Sequence, residues 1–478
     1  MKTLHPIYNV MYIPTCLIDF NHEIFNNLNM KIIIIGGVAA GAKAAAKSKR
    51  MLPDAEVHIY TQDTHVSYSS CGLPYYIAGD FADWHKLIVR TKEEFEKSGI
   101  GIHLEHRVTK ILPADKKILI KNLSTNTCEF VKYDKLIIAT GSHPFIPEIK
   151  NSNLKNIYTV RTLEDGINIR QKMEKSKNIT IIGGGYIAIE MIEAFVKNGK
   201  NVTLIERSPF ILSVFDEDIS SLIQTFILEN SNNLVKIINE DLVTEFVGEE
   251  EVRGVLTSKG SGFETDMVIV STGVRPSVDV AKEAGIELGI TGAIKVNSRM
   301  QTNISDIYAC GDCVEKINMI SNSPMWLPLG STANKEGRVA AINACGGVED
   351  FEGILGSAVL RYHAMAISMT GLTEKAAQKL GYDTVSVVIT KRDKAGYMPE
   401  VKNVTLKLVA DRRSHKVLGA QAIGDGDAGK RVNTISVGLL SGMRVEDLLD
   451  VDLTYAPPFS TSIDILISAA RILKSKLN

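Results

Sequence analysis

Short apolar runs that stop at a glycine recur along the chain and indicate its architecture. Five of them end, in order, at Gly36, Gly141, Gly183, Gly273 and Gly311. Runs without the polar alternation of a half-exposed strand are typical of strands buried on both faces of a parallel sheet. Two of the runs lead directly into stretches rich in alanine and aliphatic residues at helical spacing. The pattern therefore predicts an α/β fold in which parallel strands alternate with helices.

The turn at Gly183 has the most informative spacing. Gly183, Gly185 and Ala188 follow the pattern G-x-G-x-x-A, and the next strand ends in Glu206. In a dinucleotide-binding unit the first residue makes the turn, the second lets the backbone approach a pyrophosphate, and the third lets helix and strand pack closely. An acidic residue accepts hydrogen bonds from a ribose 2′-hydroxyl, so Glu206 favours NADH. Arg207 beside it suits a 2′-phosphate, so NADPH remains an alternative.

The turn at Gly36 is a weaker copy of the same motif. Gly36 and Gly41 hold the first and third glycine positions, whereas Val38 occupies the second. The following strand ends in Thr61 instead of an acidic residue, although a threonine hydroxyl can still bond a ribose. A helix that starts at such a turn offers unpaired N–H groups and a partial positive charge to a pyrophosphate. We predict a second dinucleotide site at this turn.

Three later strand ends indicate what this site holds. Two strands run into Thr140-Gly141 and Thr272-Gly273, and a third ends in Gly311-Asp312, whose carboxylate suits a polyol such as the ribityl chain of a flavin. Two dinucleotide motifs, two Thr-Gly strands and a late Gly-Asp, in this order, resemble the FAD- and NAD(P)-dependent pyridine nucleotide-disulfide oxidoreductases. The resemblance extends from about Lys31 to the carboxyl terminus.

The resemblance implies a fold class and a domain order. The fold is α/β, with two Rossmann-like dinucleotide-binding domains, one for FAD and one for NAD(P), and an α+β C-terminal dimerisation domain, so that a homodimer is expected. The implied FAD domain covers 31–150 and 272–346, the NAD(P) domain 151–271, and the dimerisation domain 347–478. Residues 1–30 are expected to form an unstructured N-terminal extension.

The same resemblance assigns further cofactor contacts. A helix with its N-terminus expected near Ala333 and Asn334 points at the flavin pyrimidine ring, where a partial positive charge stabilises the reduced flavin. Tyr186 and Glu190, on the helix of the NAD(P) domain, are expected near the path of the hydride from nicotinamide to flavin.

Composition narrows the partners. Charged residues make up 23% of the 478-residue chain and nearly cancel, to a formal net charge of −1, so no nucleic-acid partner is expected. No run approaches the roughly 18 uninterrupted apolar residues of a membrane span, so no membrane association is expected. The six cysteines are scattered, which favours a reducing compartment over a secreted disulfide framework. We expect a cytoplasmic protein without bound metal that acts on a small molecule.

Among the cysteines, Cys71 has the context that indicates chemistry. Cys310 and Cys313 have the C-x-x-C spacing of a redox pair, but they flank the expected flavin ligand Asp312, and we interpret them as buried thiols. The resemblance implies that the chain passes beside the isoalloxazine ring at Cys71. The residues after Cys71 predict a helix, so we expect the thiolate to be stabilised by the helix N-terminus and by the neighbouring flavin.

No second cysteine accompanies Cys71. Related reductases with an internal disulfide carry C-x-x-x-x-C here, whereas this chain has Tyr76 at the position of the second cysteine. Cys71 is therefore expected to cycle through a sulfenic acid, a persulfide or a mixed disulfide with a small thiol.

Single-cysteine members of the family form a branch with several activities. They are NADH peroxidases, water-forming NADH oxidases, coenzyme A-disulfide reductases, and persulfide or polysulfide reductases. The peroxidases and oxidases carry a histidine in the first glycine turn, where this chain has Ala39, which argues against efficient peroxide chemistry. The coenzyme A-disulfide reductases have two tyrosines that reach the cysteine from the partner subunit, and Tyr397 and Tyr455 match them. A phenol can donate a hydrogen bond or a proton to a leaving thiolate.

Coenzyme A (CoA) also needs positive charge for its phosphates. Arg50, at the end of the first helix with Lys47 and Lys49, is the best candidate, although a solvated helix end explains these charges equally well. Ser67 and Ser70 beside Cys71 are further candidate substrate contacts.

We therefore expect FAD-dependent reduction of CoA disulfide, or of a related CoA persulfide or mixed disulfide, by NAD(P)H. The expected intermediate is a Cys71–S–S–CoA bond, so the cofactors are FAD, NADH or NADPH, and CoA as a bound thiol. Two alternatives remain: a water-forming NADH oxidase that uses a Cys71 sulfenic acid, and an NADH-dependent persulfide or polysulfide reductase.

Overall fold

The computed structural model describes residues 30–425 and 427–477, so the expected N-terminal extension lies outside the described residues. The elements of the amino-terminal part are β1 (Lys31–Ile35), α1 (Ala39–Met51), β2 (Glu56–Tyr60), α2 (Leu73–Ala78), α3 (Lys92–Lys97), β3 (Ile100–His103), β4 (His106–Leu112), β5 (Lys117–Asn122), β6 (Cys128–Lys132), β7 (Lys135–Ile138) and β8 (Ser142–Pro144). Those of the middle part are β9 (Ile157–Tyr158), α4 (Leu163–Glu174), β10 (Asn178–Ile182), α5 (Tyr186–Lys197), β11 (Asn201–Glu206), α6 (Glu217–Glu229), β12 (Val235–Asn239), β13 (Val243–Gly248), β14 (Val252–Thr257), β15 (Gly262–Glu264) and β16 (Met267–Val270).

The elements that follow are β17 (Val274–Pro276), α7 (Asp279–Glu283), β18 (Ile307–Ala309), β19 (Lys316–Asn318), β20 (Ser323–Met325) and α8 (Gly330–Ala344). The carboxyl-terminal elements are β21 (Ala358–Tyr362), β22 (Met365–Gly371), α9 (Glu374–Lys379), β23 (Thr384–Arg392), β24 (Asn403–Asp411), β25 (Val417–Asp425), α10 (Ala428–Leu440), α11 (Val445–Asp450) and α12 (Ile465–Leu477).

Two five-stranded parallel sheets follow from the apolar runs. The first has the strand order β18-β7-β1-β2-β3, and the second has the order β12-β11-β10-β16-β9. The central strands are buried on both faces, since Ile32, Ile33 and Ile34 of β1 are 0% exposed. The α/β fold class is confirmed.

The second sheet is inserted into the chain of the first. The chain leaves the first sheet after β7, builds the whole second sheet, and returns to the first sheet with β18. The two crossing segments pair as the short antiparallel ribbon β8-β17. Three-stranded antiparallel sheets, β4-β5-β6 and β13-β14-β15, extend the two units.

A third sheet of different type closes the chain. It is antiparallel, in the order β21-β22-β25-β24-β23, and packs against α10 and α12. The exact borders of the four predicted segments, 31–150, 151–271, 272–346 and 347–478, stay predictions. None of the described helices combines the length and the apolar character that a membrane crossing requires.

A buried lysine joins the second unit to the third sheet. Lys407 of β24 is 3% exposed and lies 2.8 Å from Asp218, 2.9 Å from Glu374 and 3.3 Å from Asp216. The Asp216 carboxylate also accepts the backbone N–H groups of Glu374 and Lys375, at 3.0 Å each. The start of α6 is thereby attached to β24 and α9.

We expect Lys407→Met to destabilise the protein by about 3 kcal/mol, because it leaves the buried Asp216 carboxylate without its counter-charge. The matched control is Lys375→Met, which removes a 3.0 Å ion pair with Glu217 whose side chains are 58% and 63% exposed. That change should cost less than about 1 kcal/mol. Thermal melting of the holoenzyme measures both variants, and equal losses would contradict a joining role for Lys407.

Candidate functional site

The turn between β1 and α1 is closed so tightly that it excludes side chains. Gly36 has a φ of +102°, and a Cβ there would lie 2.2 Å from the carbonyl oxygen of Ala139. A Cβ on Gly41 would lie 1.9 Å from the carbonyl oxygen of Gly36. The helix begins at Ala39, and Val38 takes the N-cap position without a side-chain cap. The helix N-terminus is held against the strand end, as a pyrophosphate site requires, although Val38 replaces the second glycine.

Later strand ends converge beside this turn. Thr140 donates from Oγ1 to the carbonyl of Ser277 over 2.6 Å, and Gly141 follows with a φ of +70°. The next residue, Ser142, donates from Oγ to Oδ2 of Asp312 over 3.3 Å. The Thr-Gly and Gly-Asp motifs, 170 residues apart in sequence, therefore lie side by side.

A buried ion pair supports the turn before Asp312. Glu336 of α8 accepts the backbone N–H of Gly311 at 2.7 Å, and Lys316 donates from Nζ to the carbonyl of Gly311 over 3.0 Å. The two side chains lie 3.5 Å apart and are at most 1% exposed. Burial raises the pKa of Glu336 to about 7. No motif in the sequence predicted this pair, although a charged residue on the buried face of a helix was an available signal.

The N-terminus of α8 differs from the expectation. The helix begins at Gly330, three residues before Ala333, and the N–H of Ala333 donates to the carbonyl of Leu329 over 2.9 Å. The placement of the N-terminus near Ala333 was therefore wrong, because that N–H belongs to the helical ladder. Leu329 is extended, with φ −135° and ψ 132°, and the helix starts directly after it. The unpaired N–H groups of the first turn belong to Gly330, Ser331 and Thr332.

Thr61, at the end of β2, is only 4% exposed. Its hydroxyl accepts the backbone N–H of Asp63 at 3.3 Å. The ribose contact of Thr61 stays a prediction. Asp63, which the sequence analysis did not consider, is a nearby carboxylate whose pKa is raised by burial.

The second glycine turn has the geometry that its motif predicts. Gly183 has a φ of +93°, and a Cβ there would lie 2.5 Å from the carbonyl oxygen of Ser271. Gly185 is the N-cap of α5, and no atom lies within 4 Å of where its Cβ would be, so this backbone faces open space. Ala188 is 0% exposed between helix and strand. Gly273, with a φ of +98°, leaves a similar opening at the neighbouring strand end.

Glu206 has a structural role in addition to the predicted one. Its Oε2 accepts the N–H of Gly184 at 2.6 Å, and its Oε1 accepts the N–H of Ser208 at 2.8 Å. The side chain is 8% exposed and lines the cavity above the turn, as does the exposed Arg207. Both nucleotide-selecting residues therefore face the same space.

Cys71 lies in a single 3₁₀ turn, Ser70–Gly72, that leads into the six-residue α2. The Cys71 thiol is free. Tyr76, at the position of a second cysteine, is 6% exposed, and the centre of its ring lies 4.5 Å from the guanidinium carbon of Arg170. A Cβ on Gly330 would lie 3.9 Å from the Cys71 Sγ. The N-terminus of the long helix α8 therefore faces this thiol.

Groups from several parts of the chain set the electrostatic environment of Cys71. Burial raises the pKa of the Cys71 thiol, and the carboxylates of Glu190 and Asp312 raise it further, against the lowering effects of a Ser70 hydrogen bond and of Arg161. The stabilisation of the thiolate by the following helix and a neighbouring flavin stays a prediction; within the polypeptide, α2 has only six residues and the two carboxylates oppose the thiolate.

A first cavity of about 940 Å³ opens on one side of Cys71. Its walls carry four basic side chains, from Lys43, Arg50, Arg90 and Lys97. Of the basic residues at the end of α1, only Arg50 lines this cavity. Lys43, missed in the sequence, lies seven residues earlier on the same helix face, a spacing that was available as a signal.

Small and polar residues complete the first cavity next to the thiol. Ser67, Ser70 and the methyl group of Ala39 line it. Ser67 has a φ of +52°, an uncommon conformation for a serine, held by its N–H bond to the carbonyl of Gly37 at 2.8 Å. The three residues are in place to contact a group bound at Cys71.

A second cavity of about 1310 Å³ is also lined by Cys71. It extends from Cys71 over the second glycine turn to Glu206, and Ser70, Gly330 and Ser331 line both cavities. Tyr186 and Glu190 of α5 line the second cavity near Cys71. The Tyr186 hydroxyl donates to Met369 Sδ over 3.4 Å, and burial raises its pKa to about 12. Burial, reinforced by Glu193, raises the pKa of Glu190 to about 7.

Tyr397 and Tyr455 lie outside both cavities of their own chain. They are 78% and 52% exposed, on loops of the third-sheet unit. The N–H of Ala395 donates to the carbonyl of Pro457 over 3.2 Å, so the two loops are adjacent. The structure thus brings the tyrosines near one another and not near Cys71 of the same chain.

Cys310 and Cys313 are both 0% exposed, free, and raised in pKa by burial. Cys313 donates from Sγ to the carbonyl of Cys310 over 3.3 Å. This is the behaviour of packed thiols. Within 30–425 and 427–477, no cluster of three or more His, Cys, Asp or Glu side chains is arranged to hold a metal ion.

The donor sets fit the two cofactors that the motifs imply. At the first turn, closed glycines and the Asp312 carboxylate beside Ser142 suit a pyrophosphate and a polyol, as in FAD. At the second turn, the open backbone at Gly185 and the carboxylate of Glu206 suit a nicotinamide dinucleotide.

Family models match most of the chain. The model of the pyridine nucleotide-disulphide oxidoreductases matches residues 30–333. The model of the dimerisation domain of the same family matches residues 357–466.

Curated relatives have several oxidoreductase names. The chain is 37% identical to the NAD(P)H coenzyme A polysulfide/persulfide reductase of Pyrococcus horikoshii, over 94% of this chain and 99% of that protein. It is 33% identical to an NADH oxidase of Methanocaldococcus jannaschii, over 94% and 100%. It is 29% identical to the coenzyme A disulfide reductase of Staphylococcus haemolyticus, over 91% and 97%. Among solved structures, reduced Bacillus anthracis CoADR-RHD matches with a TM-score of 0.90 and 32% identity, over 94% of this chain and 81% of that one.

The charge on Glu190 should control the titration of Cys71. We expect Glu190→Gln to lower the pKa of the Cys71 thiol, because the amide removes a negative charge that opposes the thiolate. The difference from wild type should appear above about pH 7, where Glu190 is ionised, and vanish below it. The measurement is the pH dependence of alkylation of the reduced holoenzyme by iodoacetamide, read at the Cys71 peptide by mass spectrometry.

Glu193→Gln is the matched control, since it leaves the Glu190 carboxylate in place and should not lower the midpoint of alkylation. An unchanged midpoint in Glu190→Gln would show that Glu190 does not act on the thiol.

Proposed function

The chain belongs to the pyridine nucleotide-disulphide oxidoreductase family, and from this premise we propose that it reduces CoA disulfide, or a CoA persulfide or mixed disulfide, with NAD(P)H. The observation that carries the proposal is the position of Cys71 between the two cavities. The second cavity has the glycine turn that suits a nicotinamide dinucleotide, and the first has the cationic wall that suits a phosphate-rich thiol. Relatives named for CoA disulfide and CoA persulfide reduction support the same substrate class.

Cys71 is the residue that exchanges with substrate. Its thiolate attacks one sulfur of CoA disulfide, a Cys71–S–S–CoA bond forms, and one CoA thiolate leaves. FAD, when bound, supplies the two-electron relay from NAD(P)H. Two electrons then break the Cys71–S–S–CoA bond, which returns the Cys71 thiolate and releases the second CoA thiolate. Overall, one NAD(P)H and one proton are consumed for two CoA thiols.

Two residues favour this reaction over its alternatives. Tyr76 stands where an internal disulfide would need its second cysteine, so the partner sulfur has to come from a substrate. Ala39 lines the first cavity with a methyl group and offers no acid or base for peroxide chemistry. A CoA persulfide meets the same thiol and the same cationic wall, and it belongs to the same proposal.

Both nicotinamide dinucleotides are compatible with the second cavity. The carboxylate of Glu206 has unused lone pairs for a ribose hydroxyl, and the neighbouring Arg207 offers a cation for a 2′-phosphate. Near the thiol, Glu190 is neutral below about pH 7 and presents a carboxyl group to the path between nucleotide and Cys71.

The proposed enzyme is a homodimer, which the match of residues 357–466 to a dimerisation domain supports. In the dimer, Tyr397 and Tyr455 reach the site of the partner subunit and donate hydrogen bonds to the leaving CoA thiolate. Their exposure on adjacent loops of the proposed dimerisation domain, residues 347–478, is consistent with this role.

Steady-state kinetics of the holoenzyme test the proposal. We expect NAD(P)H consumption that depends on CoA disulfide or CoA persulfide, and Cys71→Ser should reduce it to the background rate because serine cannot form a mixed disulfide. Cys128→Ser, at an exposed cysteine outside both cavities, is the matched control and should keep full activity. Rapid, disulfide-independent reduction of oxygen to water would instead identify an NADH oxidase.

The cationic wall of the first cavity makes a separate prediction. Arg50→Met should raise the KM for CoA disulfide about tenfold with little change in kcat, because a charge-assisted hydrogen bond to phosphate is lost. Pantethine, a disulfide without phosphates, should be reduced equally by variant and wild type. Arg253→Met, at an exposed arginine paired with Glu251, is the control. A KM increase shared by pantethine would argue against phosphate binding at Arg50.

A further inference from the structure

A buried ion pair lies at the base of both tyrosine loops, which we define as residues 393–402 and 453–463. Arg431 of α10 donates to Oδ2 of Asp464 from Nε at 3.1 Å and from Nη2 at 2.9 Å. The two residues are 7% and 8% exposed. Asp464 also accepts the N–H of Leu466 at 2.9 Å, where α12 begins. The pair therefore fixes the end of the second tyrosine loop to α10.

The same guanidinium holds the first tyrosine loop. Arg431 donates from Nη2 to the carbonyl of Asp393 over 3.1 Å. Asp393 closes the loop by donating its N–H to the carbonyl of Lys402 at 2.8 Å and accepting the N–H of Lys402 on Oδ1 at 2.8 Å. With the bond from Ala395 to Pro457, the two loops and α10 form one connected unit.

Stability alone does not account for a charge pair in this place. A buried ion pair is often no more stabilising than apolar side chains of similar volume, whereas its directional bonds define one geometry. A loop that is ordered before it meets a substrate avoids the entropy cost of ordering it there. The pair orders the bases of the loops, and Tyr397 and Tyr455 within the loops remain exposed.

We propose that Arg431 is a positioning residue for disulfide reduction, which holds both tyrosine loops in the orientation that their phenols need in the partner subunit's site. The inference rests on the proposed function, in which those phenols stabilise the leaving thiolate. From the same helix, Gly429, Val432 and Asn433 line the second cavity of their own chain. The anchor of the tyrosines is thus part of a helix that also walls a nucleotide cavity.

The test combines Arg431→Met with Asp464→Leu, so that no single charge remains buried. With the tyrosines intact, kcat for CoA disulfide should fall about tenfold or more. With Tyr397→Phe and Tyr455→Phe already present, the combined change should cause no further fall, because both sets of changes remove the same interaction. Oxidation of NAD(P)H by ferricyanide, which does not need the phenols, should be unchanged in the variant that combines Arg431→Met with Asp464→Leu.

Arg431→Lys keeps the positive charge without the forked geometry of the guanidinium, so its kcat should lie between those of the combined variant and the wild type. If the combined variant does not fold, Arg431→Lys takes its place in the test. The positioning role would be overturned if the combined change lowered kcat further in the enzyme that already carries the two tyrosine changes. An equal loss in the rate of ferricyanide reduction would also overturn it.

A second readout does not depend on the substrate. If the wild-type enzyme is inactive toward CoA disulfide, the proposed function is refuted. The positioning role is still testable, because the rate of trypsin cleavage after Lys394 reports on the order of the first tyrosine loop alone. The holoenzyme that combines Arg431→Met with Asp464→Leu should be cleaved at Lys394 more rapidly than the wild-type holoenzyme. Equal cleavage rates would reject the positioning role whatever the enzyme reduces.

Discussion

The carboxyl ends of parallel strands lie at the same edge of their sheet, and the site depends on this constraint in both parallel sheets. Each unit brings its glycine turn and its later strand ends to one side of its sheet. The second unit is inserted into the chain of the first. Cys71 lines both cavities. Ser70, Gly330 and Ser331 also line both the first cavity, with its basic side chains, and the second cavity above the Gly183 turn.

The charges around Cys71 oppose one another. Burial and the carboxylates of Glu190 and Asp312 disfavour the thiolate, while Ser70 and Arg161 favour it. The N–H groups at the start of α8, which faces the thiol, add to the favourable side. Because the pKa of Glu190 is near 7, the balance changes around neutral pH. The reactivity of the thiol is set by this cluster and not by Cys71 alone.

Much of the fold and part of the site were predictable, because their signals are contiguous in the sequence. The glycine turns at Gly36 and Gly183 predicted where strands end and helices begin, since the turn residues are adjacent in the chain. The start of α8 was misplaced because the resemblance implied an N-terminus near Ala333, whereas the helix begins directly after the extended Leu329. The carboxylates of Glu190 and Asp312, which oppose the Cys71 thiolate, were not predictable because they come from distant parts of the chain.

The sequence by itself determined the local elements: the apolar strands, the two dinucleotide turns, and a cysteine without a second cysteine beside it. Only the tertiary structure decided which side chains surround that cysteine. The pair of Lys316 and Glu336, the approach of Gly330 to Cys71, and the junction of Arg431 with Asp464 join residues that no spacing rule connects. Local motifs act through neighbouring backbone, whereas burial, cavity walls and ion pairs arise when distant segments pack together.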